Sequence, residues 1–428
     1  MLGLWHLGTV TAACLAQGGH DVTGLDFEAA VIDGLGGGRS PLFEPGLDDL
    51  VRAGLAAGRL RFTTDAAQAV GSADVVWVTY DTPVDEDDRA DVEYVMERVS
   101  RVFPHMRDGA LLLISAQLPV GTTRQLEQRF AAGSHGRRVG FGYSPENLRL
   151  GKAIAVFTHP DRVVAGVRVD ADRERVTELL RPFDATIEWM SVESAEMTKH
   201  ALNAFLATSV TFINEIAALS EQLGADANEV ARALKSDGRI GPKAYLSPGP
   251  AFAGGTLARD VVFLSQLGVT HGVPTRLLSS VKPSNDLHRQ WAQRRIEQLL
   301  PDLRGRTVAV WGLTYKPGTD TLRRSAAIEL CLWLNERGVT VRAHDLAVRS
   351  LPASLAAQIE LADDAPGAVQ GASALVVATP WPEYKEISSS ELKARMVRAL
   401  VIDPGRFLFE TLGRDAGIEY VSVGTASA

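Results

Sequence analysis

The chain of 428 residues is long enough for two or three domains, each with its own hydrophobic core. Hydrophobic residues make up 46% of it and charged residues 22%, which is typical of a globular protein, and the net charge of −8 argues against a nucleic-acid-binding surface. Because no apolar stretch reaches the roughly 18 uninterrupted residues of a membrane helix and no signal peptide is recognisable, we expect a cytoplasmic protein with no membrane partner.

The first part of the chain alternates short apolar runs with helical patterns, which is typical of a parallel α/β sheet. Buried strands are predicted at residues 21–26, 73–79, 110–115 and 162–166. Apolar side chains at three- and four-residue steps then predict one long helix from Ser191 to about Gly224.

A second α/β region follows the helical middle of the chain. A further helix is predicted from about Asp286 to Leu300, and the strand–helix alternation restarts after Pro301. Its predicted elements are strands at 307–311, 339–344, 374–378 and 399–403 and a helix at 326–337. We therefore predict an α/β fold of two Rossmann-like parallel-sheet domains, residues 1–190 and 301–428, joined by a long-helix central region, residues 191–300.

The two cysteines, Cys14 and Cys331, lie in separate helical patterns near the two ends of the chain. Neither has a histidine nearby or a metal-ligand spacing, so we predict two buried structural thiols, no disulfide and no metal site.

A glycine-rich turn opens the chain and reads G-L-W-H-L-G from Gly3 to Gly8. Asp26 follows at the end of the next predicted strand, at the spacing of a carboxylate that accepts the ribose hydroxyls of NAD and repels the 2′-phosphate of NADP. Two departures weaken this match, because Trp5 replaces the second glycine and only two residues precede the turn. A tight strand-to-helix turn without a cofactor explains the glycines equally well.

Short motifs along most of the chain resemble, in their order, those of the UDP-glucose/GDP-mannose dehydrogenase family. They are E-P-G-L at 44–47, Y-D-T-P at 80–83, P-V-G-T-T at 119–123, P-E-N-L at 145–148 with Gly151, P-D-R at 160–162, A-E-M-T-K at 195–199, R-I-G at 239–241, G-L-T-Y-K-P at 312–317 and T-P-W at 379–381. The segment 251–260, A-F-A-G-G-T-L-A-R-D, resembles the catalytic loop of that family, G-F-G-G-S-C-x-x-K-D. Each motif is weak alone, but their common order makes coincidence implausible.

The resemblance implies an NAD-dependent oxidoreductase that acts on a nucleotide sugar and pairs as a homodimer through the central helical region. It implies that the first domain binds NAD and that the third binds the nucleotide sugar. The implied cofactor-binding residues are Gly3, Gly8, Asp26, Thr82 and Arg323.

The resemblance also implies four catalytic side chains. Lys199 and Asn203 project from one face of a helix, four residues apart, and would hold a developing alkoxide. Glu146 would act as a general base, and Asp260 would help to activate the catalytic water. The alternatives are a solvated helix face for Lys199 with Glu196 as its weak partner, a surface carboxylate for Glu146 and a helix N-cap for Asp260.

Substrate contacts are implied at seven further positions. These are Leu148, Arg239, Tyr245, Phe252, Gly254, Lys316 and Arg406. Arginines suit forked contacts to phosphate, and Arg239 is expected to reach a neighbouring subunit's site.

The departures from the family pattern gather around the second oxidation step. Thr256 replaces the nucleophilic cysteine, whose thiohemiacetal with the aldehyde donates a second hydride. Gln117 replaces a threonine that positions water, Leu150 replaces a second acid, and Arg259 replaces a lysine. We keep Thr256 among the candidate catalytic residues, although a hydrogen-bonding or packing role suits a threonine better than a nucleophilic one.

Three functions follow from this pattern. We favour mainly a two-electron oxidation of a nucleotide sugar, or an oxidation–reduction epimerisation with retained cofactor. The second is a four-electron dehydrogenase that gives a uronate by a water route. The third is an inactive protein that binds a nucleotide sugar, a hypothesis motivated by Trp5 and by the short first strand.

Overall fold

The structure, a computed structural model, divides into two compact units, Met1–Leu202 and Asn203–Ala428. It describes residues 1–85, 90–133, 136–146, 148–253 and 255–425. This division does not test the predicted domain boundaries, which stay predictions.

The first unit contains one mostly parallel sheet with helices on both faces. Its strands are β1 (Val22–Leu25), β2 (Leu60–Thr63), β3 (Val75–Val78), β4 (Leu111–Ile114), β5 (Gly140–Tyr143), β6 (Val163–Val167) and β7 (Ile187–Met190). Its helices are α1 (His6–Gln17), α2 (Ala29–Gly36), α3 (Leu47–Ala56), α4 (Ala66–Val70), α5 (Val92–Ser100), α6 (Thr122–Gly133), α7 (Ala153–Thr158) and α8 (Asp170–Leu180). The strands pair as β1–β2 and as β3–β4–β5–β6–β7, and only the β5–β6 pair is antiparallel.

Leu2 supplies the first strand of this sheet and joins its two parts. It pairs in parallel with Leu25 on one side and with Val78 on the other. Its N–H donates to the Trp77 carbonyl at 2.8 Å, and its own carbonyl accepts from the N–H of Thr79 at 2.8 Å. Although the first strand is short, it therefore occupies the central place that a Rossmann-like sheet requires, in the chain order 3-2-1-4-5-6.

Strand β4 shows why the central strands of this sheet are apolar throughout. Leu112 and Ile114 pack into one core of the unit, and Leu111 and Leu113 pack into the core on the opposite face. All four side chains are buried, and burial of each contributes about 1.5–3 kcal/mol to folding. A strand covered on both faces reads as an unbroken apolar run, as the sequence analysis assumed.

All four strands predicted in the first unit are confirmed, and β2, β5 and β7 were missed. Strand β5 contains two glycines, a residue that normally weakens a strand, and both meet close neighbours. A Cβ on Gly140 would lie 2.5 Å from the Asp172 carboxylate, and one on Gly142 would lie 3.1 Å from the Gly166 carbonyl oxygen. Tertiary packing therefore explains a strand that the sequence pattern does not suggest.

The long helix α9 (Val192–Leu223) is confirmed, and the boundary between the two units falls within it. One 18-residue stretch of α9 has a mean hydropathy of 1.4, so by length and composition alone the helix could cross a membrane. About 44% of that stretch is buried, and the core helix of a soluble protein meets the same criterion.

The second unit carries a six-stranded parallel sheet. Its strands are β8 (Thr307–Trp311), β9 (Thr340–His344), β10 (Glu360–Leu361), β11 (Ala374–Val377), β12 (Leu400–Ile402) and β13 (Glu419–Val421). Its helices after α9 are α10 (Ala227–Ser236), α11 (Thr256–Thr270), α12 (Arg276–Arg289), α13 (Trp291–Leu299), α14 (Ala326–Glu336), α15 (Ala353–Ala356), α16 (Ala365–Ala368) and α17 (Ser389–Arg395). The strand order β10-β9-β8-β11-β12-β13 repeats the Rossmann order, and the predicted parallel sheet is confirmed. The four predicted strands correspond to β8, β9, β11 and β12, whereas the short edge strands β10 and β13 were missed.

The single helix predicted from Asp286 to Leu300 is wrong. The chain forms two helices there, α12 and α13, which meet at Gln290. The break buries Trp291, whose indole N–H donates to Glu221 in α9 at 2.8 Å. A partner distant in sequence therefore decides where the helix ends, which local periodicity does not reveal.

Candidate functional site

The glycine-rich turn of the first unit requires its two glycines. Gly3 has a φ of +92°, a conformation that favours glycine, and a Cβ there would lie 2.7 Å from the Tyr80 ring. A Cβ on Gly8 would lie 1.8 Å from the Gly3 carbonyl oxygen. These are the tight-turn and close-packing roles of the first and third glycines in a dinucleotide-binding turn.

Trp5 occupies the N-cap of α1, where the second glycine of the motif would stand. Its backbone, with φ −76° and ψ −154°, is open to any residue, so the turn keeps its shape without a glycine at this place. Its side chain is 45% exposed at the helix N-terminus. The substitution therefore leaves the turn intact but adds an indole beside the end of the helix that attracts anions.

Asp26 lies directly after β1 and is almost fully buried. Its Oδ2 accepts from the N–H of Leu4 at 2.8 Å, and its Oδ1 accepts from the N–H of Glu28 at 3.1 Å. A carboxylate offers about four acceptor positions, so these two bonds hold Asp26 in place and leave it able to accept ribose hydroxyls.

The second unit contains a similar turn whose carboxylate is already engaged. Gly312 after β8 has a φ of +88°, and a Cβ there would lie 2.3 Å from Cβ of Thr379. Asp345 after β9 accepts five hydrogen bonds. They come from the N–H groups of Leu313 at 2.6 Å, Thr314 at 3.1 Å and Ala347 at 2.8 Å, from the Thr314 hydroxyl at 3.3 Å and from the Trp381 indole at 3.2 Å. Each of the two Rossmann-like sheets thus has a turn of this kind. The carboxylate of the first, Asp26, accepts fewer hydrogen bonds and keeps acceptor positions for a ligand.

Thr82 is buried beyond the end of β3. Its hydroxyl donates to the backbone carbonyl of Gln117 at 2.9 Å and so ties together the segments that follow β3 and β4. The carboxyl ends of parallel strands are where such sheets bind their ligands.

Lys199 and Glu146 are brought together in the first unit. Lys199 is 8% exposed, and its Nζ donates to the Glu146 carbonyl oxygen at 2.6 Å and lies 3.4 Å from Oε1. The other carboxylate oxygen of Glu146 accepts from the N–H of Leu148 at 2.9 Å. Lys199 does not lie on a solvated helix face, so that alternative is wrong, and Glu146 is held in its loop by two contacts.

Glu196 has a structural task that the sequence analysis missed. It is fully buried and accepts from the N–H groups of Gly121 at 2.7 Å and Thr123 at 2.9 Å and from the Thr123 hydroxyl at 2.6 Å. These bonds fix the start of α6, because a carboxylate there satisfies N–H groups that lack a helical partner. Glu196 is therefore not the partner of Lys199.

Glu44 is a second missed residue, and it connects the glycine-rich turn to the segment around Gly151. His6 donates from Nε2 to its Oε2 at 2.9 Å. The same carboxylate accepts from the N–H groups of Gly151 at 2.8 Å and Ala153 at 2.9 Å. The E-P-G-L motif marks Glu44 in the sequence, but its partners are distant along the chain and leave no local signal.

Asn203 and Asp260 form a buried pair in the second unit. The Asn203 side-chain amide donates to Asp260 Oδ2 at 2.5 Å, and both residues are shielded from solvent. Asp260 lies in the second turn of α11, whose N-cap is Gly255, so the alternative that Asp260 is an N-cap is wrong. A buried carboxylate of this kind can orient a polar ligand or a water.

Thr256 is the first residue of α11 and is exposed. A thiol at this position would have a lowered pKa, because the partial positive charge of a helix N-terminus stabilises the thiolate. A hydroxyl ionises far above neutral pH and gains little from the same field. Within the described parts of the chain, no carboxylate or imidazole hydrogen-bonds the Thr256 hydroxyl, so the position suits a nucleophile and the side chain does not.

The predicted substrate residues lie in both units, and the structure does not gather all of them. Leu148 follows Glu146 in the first unit, and Gly254 lies outside the described residues. Tyr245 and Arg239 are exposed, and Arg239 forms a forked ion pair with Asp237, at 2.7 Å and 3.0 Å. Phe252 is half-buried.

Three cations predicted from the family pattern lie in the loops of the second sheet. Lys316 follows β8 and places its Nζ 5.4 Å from the centre of the Tyr315 ring, and Arg323 is exposed. Arg406 follows β12 with a φ of +56°, stacks its guanidinium 3.9 Å from the Phe409 ring centre and donates to Asp226 at 3.2 Å. Arg406 is thus the most firmly positioned of the three.

A cleft of about 590 Å³ lies within the second unit, near the carboxyl ends of β11 and β12. Pro250, Ala251, Ala326, Ala378 and Pro404 form part of its lining. None of the six predicted substrate residues that the structure describes lies among those that line it. The assignment of the substrate residues therefore stays a prediction.

The two cysteines are buried and unpaired, as predicted. Burial raises the pKa of each thiol to about 12, so neither supplies a thiolate at neutral pH. Among the described residues, no group of three or more histidine, cysteine, aspartate or glutamate side chains is arranged to hold a metal ion.

Comparisons with known proteins cover nearly the whole chain. The NAD binding domain of the UDP-glucose/GDP-mannose dehydrogenase family matches residues 1–184, its central domain matches residues 193–287, and its UDP binding domain matches residues 309–410. The UDP-glucose 6-dehydrogenase of Rhizobium meliloti is 35% identical over 99% of this chain and 98% of its own. UDP-glucose 6-dehydrogenase TuaD of Bacillus subtilis is 33% identical over 99% of this chain and 92% of its own. A UDP-glucose dehydrogenase structure from Pyrobaculum islandicum superposes with a TM-score of 0.89 at 31% identity, over 99% of this chain and 96% of that one.

Proposed function

Because the chain belongs to the UDP-glucose/GDP-mannose dehydrogenase family, whose members are NAD-dependent nucleotide-sugar dehydrogenases, we propose that it oxidises a UDP-hexose mainly by two electrons. The product would be an aldehyde at the carbon that the relatives oxidise, C6. The observation that carries this proposal is Thr256 at the first position of α11 in a chain that keeps the Lys199–Glu146 pair in its first unit and the Asn203–Asp260 pair in its second.

The cofactor is NAD, and the first unit fits it. Gly3 and Gly8 keep the backbone of the turn close-packed, and Asp26 has acceptor positions left for the ribose hydroxyls. Bound at this turn, NAD would supply the acceptor for the hydride of the sugar carbon. The negative charge of Asp26 disfavours the extra phosphate of NADP.

Lys199 and Glu146 are suited to remove the proton of the sugar hydroxyl. In the oxidation, the hydroxyl loses a proton, the carbon loses a hydride, and a carbonyl remains. The Glu146 carboxylate would take the proton, and the buried Lys199 ammonium would stabilise the negative charge on the oxygen as the proton leaves. Their separation of 3.4 Å keeps the ammonium and the carboxylate in mutual contact before substrate binds.

The second oxidation needs a nucleophile that adds to the aldehyde. A cysteine thiolate would form a thiohemiacetal, from which a second hydride leaves, whereas no carboxylate or imidazole among the described residues hydrogen-bonds the Thr256 hydroxyl to activate it. The aldehyde would therefore leave. The epimerisation alternative would need oxidation at a secondary ring carbon, since only there does reduction of the carbonyl from the other face give an epimer with no net oxidation.

A water route to a uronate is the second candidate function, and the buried Asn203–Asp260 pair favours it. Asp260 could take a proton from a water that hydrates the aldehyde, and the hydrate could lose the second hydride without a covalent intermediate. The names of the two curated relatives, both UDP-glucose 6-dehydrogenases, support this route. The third candidate, an inactive binding protein, rests on Trp5, and the central Leu2 strand argues against it.

Incubation with NAD and UDP-glucose, followed by quantification of NADH and mass analysis of the sugar, separates these functions. We expect a sugar nucleotide with an aldehyde at C6 and about one NADH per sugar consumed. UDP-glucuronate with two NADH per sugar supports the water route, and sugar binding with no NADH and no epimer supports the inactive protein.

The apolar side chains exposed on α9 support a homodimer. Phe205, Phe212 and Leu219 recur every seven residues, so they lie along one face of the helix, and they are 69%, 46% and 59% exposed. We call these three residues the α9 stripe. A row of large exposed apolar side chains along one helix face is typical of a surface that another protein covers.

A membrane role for α9 is not part of the proposal. Its polar side chains Asn203 and Asn214 are buried and hydrogen-bonded within the second unit, as in a core helix of a soluble protein. We place the protein in the cytoplasm, whose reducing conditions suit two unpaired cysteines.

A further inference from the structure

The irregular segment of residues 249–253, which precedes α11, is held by side chains rather than by strand pairing. Asn214 Oδ1 accepts from the N–H of Gly249 at 3.0 Å, and His288 Nε2 donates to the Gly249 carbonyl at 2.8 Å. Asn285 accepts from the N–H of Phe252 at 3.0 Å and donates to its carbonyl at 3.1 Å. The main-chain polar groups of both Gly249 and Phe252 are therefore bonded to side chains of α9 and α12.

The three anchoring side chains are themselves firmly placed. Asn214 and Asn285 are buried, at 2% and 3% exposure, so each carries a polar group that needs its partner. Burial lowers the pKa of His288, so its imidazole is neutral at pH 7. A carbonyl oxygen accepts only, so Nε2 carries the imidazole proton and His288 is fixed in one tautomer.

One face of α9 bonds residues on both sides of the start of α11. Asn203 and Asn214 are eleven residues apart, close to three helical turns, and therefore point the same way. Asn203 bonds Asp260 within α11, and Asn214 bonds Gly249 before it. Phe252 and Thr256, the first residue of α11, lie between Gly249 and Asp260 in the chain.

We infer that His288, Asn214 and Asn285 are positioning residues, which hold residues 249–253 so that Phe252 and the start of α11 can receive the sugar part of the substrate. This inference rests on the proposed function, because it takes the segment to be part of the nucleotide-sugar site. We assign none of the three side chains a direct contact with the atoms that react. Their effect passes through the backbone that they hold.

The test compares His288→Leu with His288→Gln in the full chain. Leucine fills the space but has no donor, whereas the glutamine amide can restore the bond to the Gly249 carbonyl. His20→Leu is the matched control, because His20 Nε2 donates in the same way to a backbone carbonyl, that of Leu179, at 3.0 Å in the first unit. Calorimetry measures binding of UDP-glucose and of NAD, and hydrogen–deuterium exchange measures opening of residues 249–253.

We expect His288→Leu to weaken UDP-glucose binding about tenfold, the effect of one well-placed buried hydrogen bond, and to speed exchange in the segment. His288→Gln should restore both within about twofold, and NAD binding should not change in either variant. Asn214→Ala, which removes the other bond to Gly249, should likewise weaken UDP-glucose binding and speed exchange. It replaces His288→Leu in the test if that variant folds poorly. His20→Leu should leave UDP-glucose binding and segment exchange as in the wild type.

Faster exchange with unchanged UDP-glucose binding would overturn the inference, since the segment would then be held without serving the sugar site. Unchanged exchange in His288→Leu and Asn214→Ala would overturn it as well. Wild-type protein that fails to bind UDP-glucose would contradict the proposed substrate instead, and the exchange experiment would still report whether these side chains hold the segment.

Discussion

Lys199 donates a hydrogen bond from Nζ to the backbone carbonyl of Glu146 at 2.6 Å, although the two residues are 53 positions apart in the chain. The ammonium of Lys199 is thereby fixed 3.4 Å from the Glu146 carboxylate and out of solvent. A cation and a base held side by side can share one hydroxyl group, the base taking its proton and the cation stabilising its oxygen.

Replacement of Lys199 by methionine should lower kcat by about 10²–10³-fold, the usual cost of removing one group that stabilises a developing oxyanion. Methionine keeps the length of the side chain and removes its charge. Lys393→Met is the control, since Lys393 also pairs with a carboxylate, Asp415 at 2.6 Å, on an exposed surface of the second unit. Steady-state kinetics with both substrates varied checks the prediction, and an equal loss in the two variants would contradict it.

Replacement of Trp5 by glycine should lower the KM for NAD by roughly three- to tenfold, because glycine lets the pyrophosphate approach the helix N-terminus closely. The side chain is half-exposed and the backbone conformation suits either residue, so thermal stability should change little. Gly3→Ala offers the contrast, since its Cβ would meet the Tyr80 ring at 2.7 Å and its φ is positive. A KM for NAD that stays the same or rises in Trp5→Gly would show that the indole does not obstruct the cofactor.

Phe212→Asp should disrupt the proposed homodimer and give a monomer, because it places a charge in the middle of the α9 stripe. Leu277→Asp is the control, since Leu277 is similarly exposed, at 66%, but lies on α12. Multi-angle light scattering at several concentrations reports the mass of each variant. A wild-type protein that is monomeric throughout, or a dimer that survives Phe212→Asp, would refute the stripe as the interface.

Arg168 should stabilise the first unit at neutral pH and lose this effect in acid. The hydrogen bond from Arg168, at 2.7 Å, lowers the pKa of Glu193 to about 2, below the value near 4.3 of an unfolded glutamate. A depressed carboxylate pKa stabilises the fold above pH 4.3, and this contribution disappears as the pH falls from about 4 to 2.

Arg168→Met should therefore lower the free energy of unfolding by about 1 kcal/mol at pH 7 and by progressively less below pH 4. Arg173→Met, which removes an exposed arginine 3.5 Å from Asp170, should have little effect at any pH. Denaturant unfolding across this pH range makes the comparison, and a deficit in Arg168→Met that persists unchanged at pH 2 would contradict it.

Patterns within single elements allowed much of the fold to be predicted from the sequence. Unbroken apolar runs predicted β4 and β8, and α9 was predicted nearly to the residue, because these elements are buried as their local patterns require. Strand β5 and the break at Gln290 were missed because close packing of Gly140 and the buried Trp291 indole determine them, and those contacts join residues distant in sequence.

For the candidate site, the sequence predicted individual residues that belong to recognisable motifs, but not the tertiary contacts between them. The Lys199–Glu146 and Asn203–Asp260 pairs consist of residues that the family pattern had singled out. Glu196 was assigned a weak local partner, whereas its buried carboxylate holds the start of α6. Helical spacing predicts which side chains of the same helix lie near a carboxylate. It does not predict which backbone N–H groups from elsewhere in the chain tertiary packing brings to that carboxylate.

Thr256→Cys should move the reaction towards four electrons. A thiol at the first position of α11 would gain the stabilisation that a helix N-terminus gives a thiolate, and it could capture the aldehyde. Thr256→Ala is the matched control and should behave as the wild type, because the hydroxyl takes no part in the first oxidation. An alanine variant that loses all activity would show instead that the hydroxyl is needed.

The stoichiometry of NADH formed to UDP-glucose consumed, measured for the wild type and for Thr256→Cys with mass identification of the products, tests the central claim most directly. We predict a ratio near one with an aldehyde product in the wild type, and a ratio that rises towards two with UDP-glucuronate in the cysteine variant. A wild-type ratio of two, with rapid release of UDP-glucuronate that persists in Thr256→Ala, would contradict the two-electron assignment.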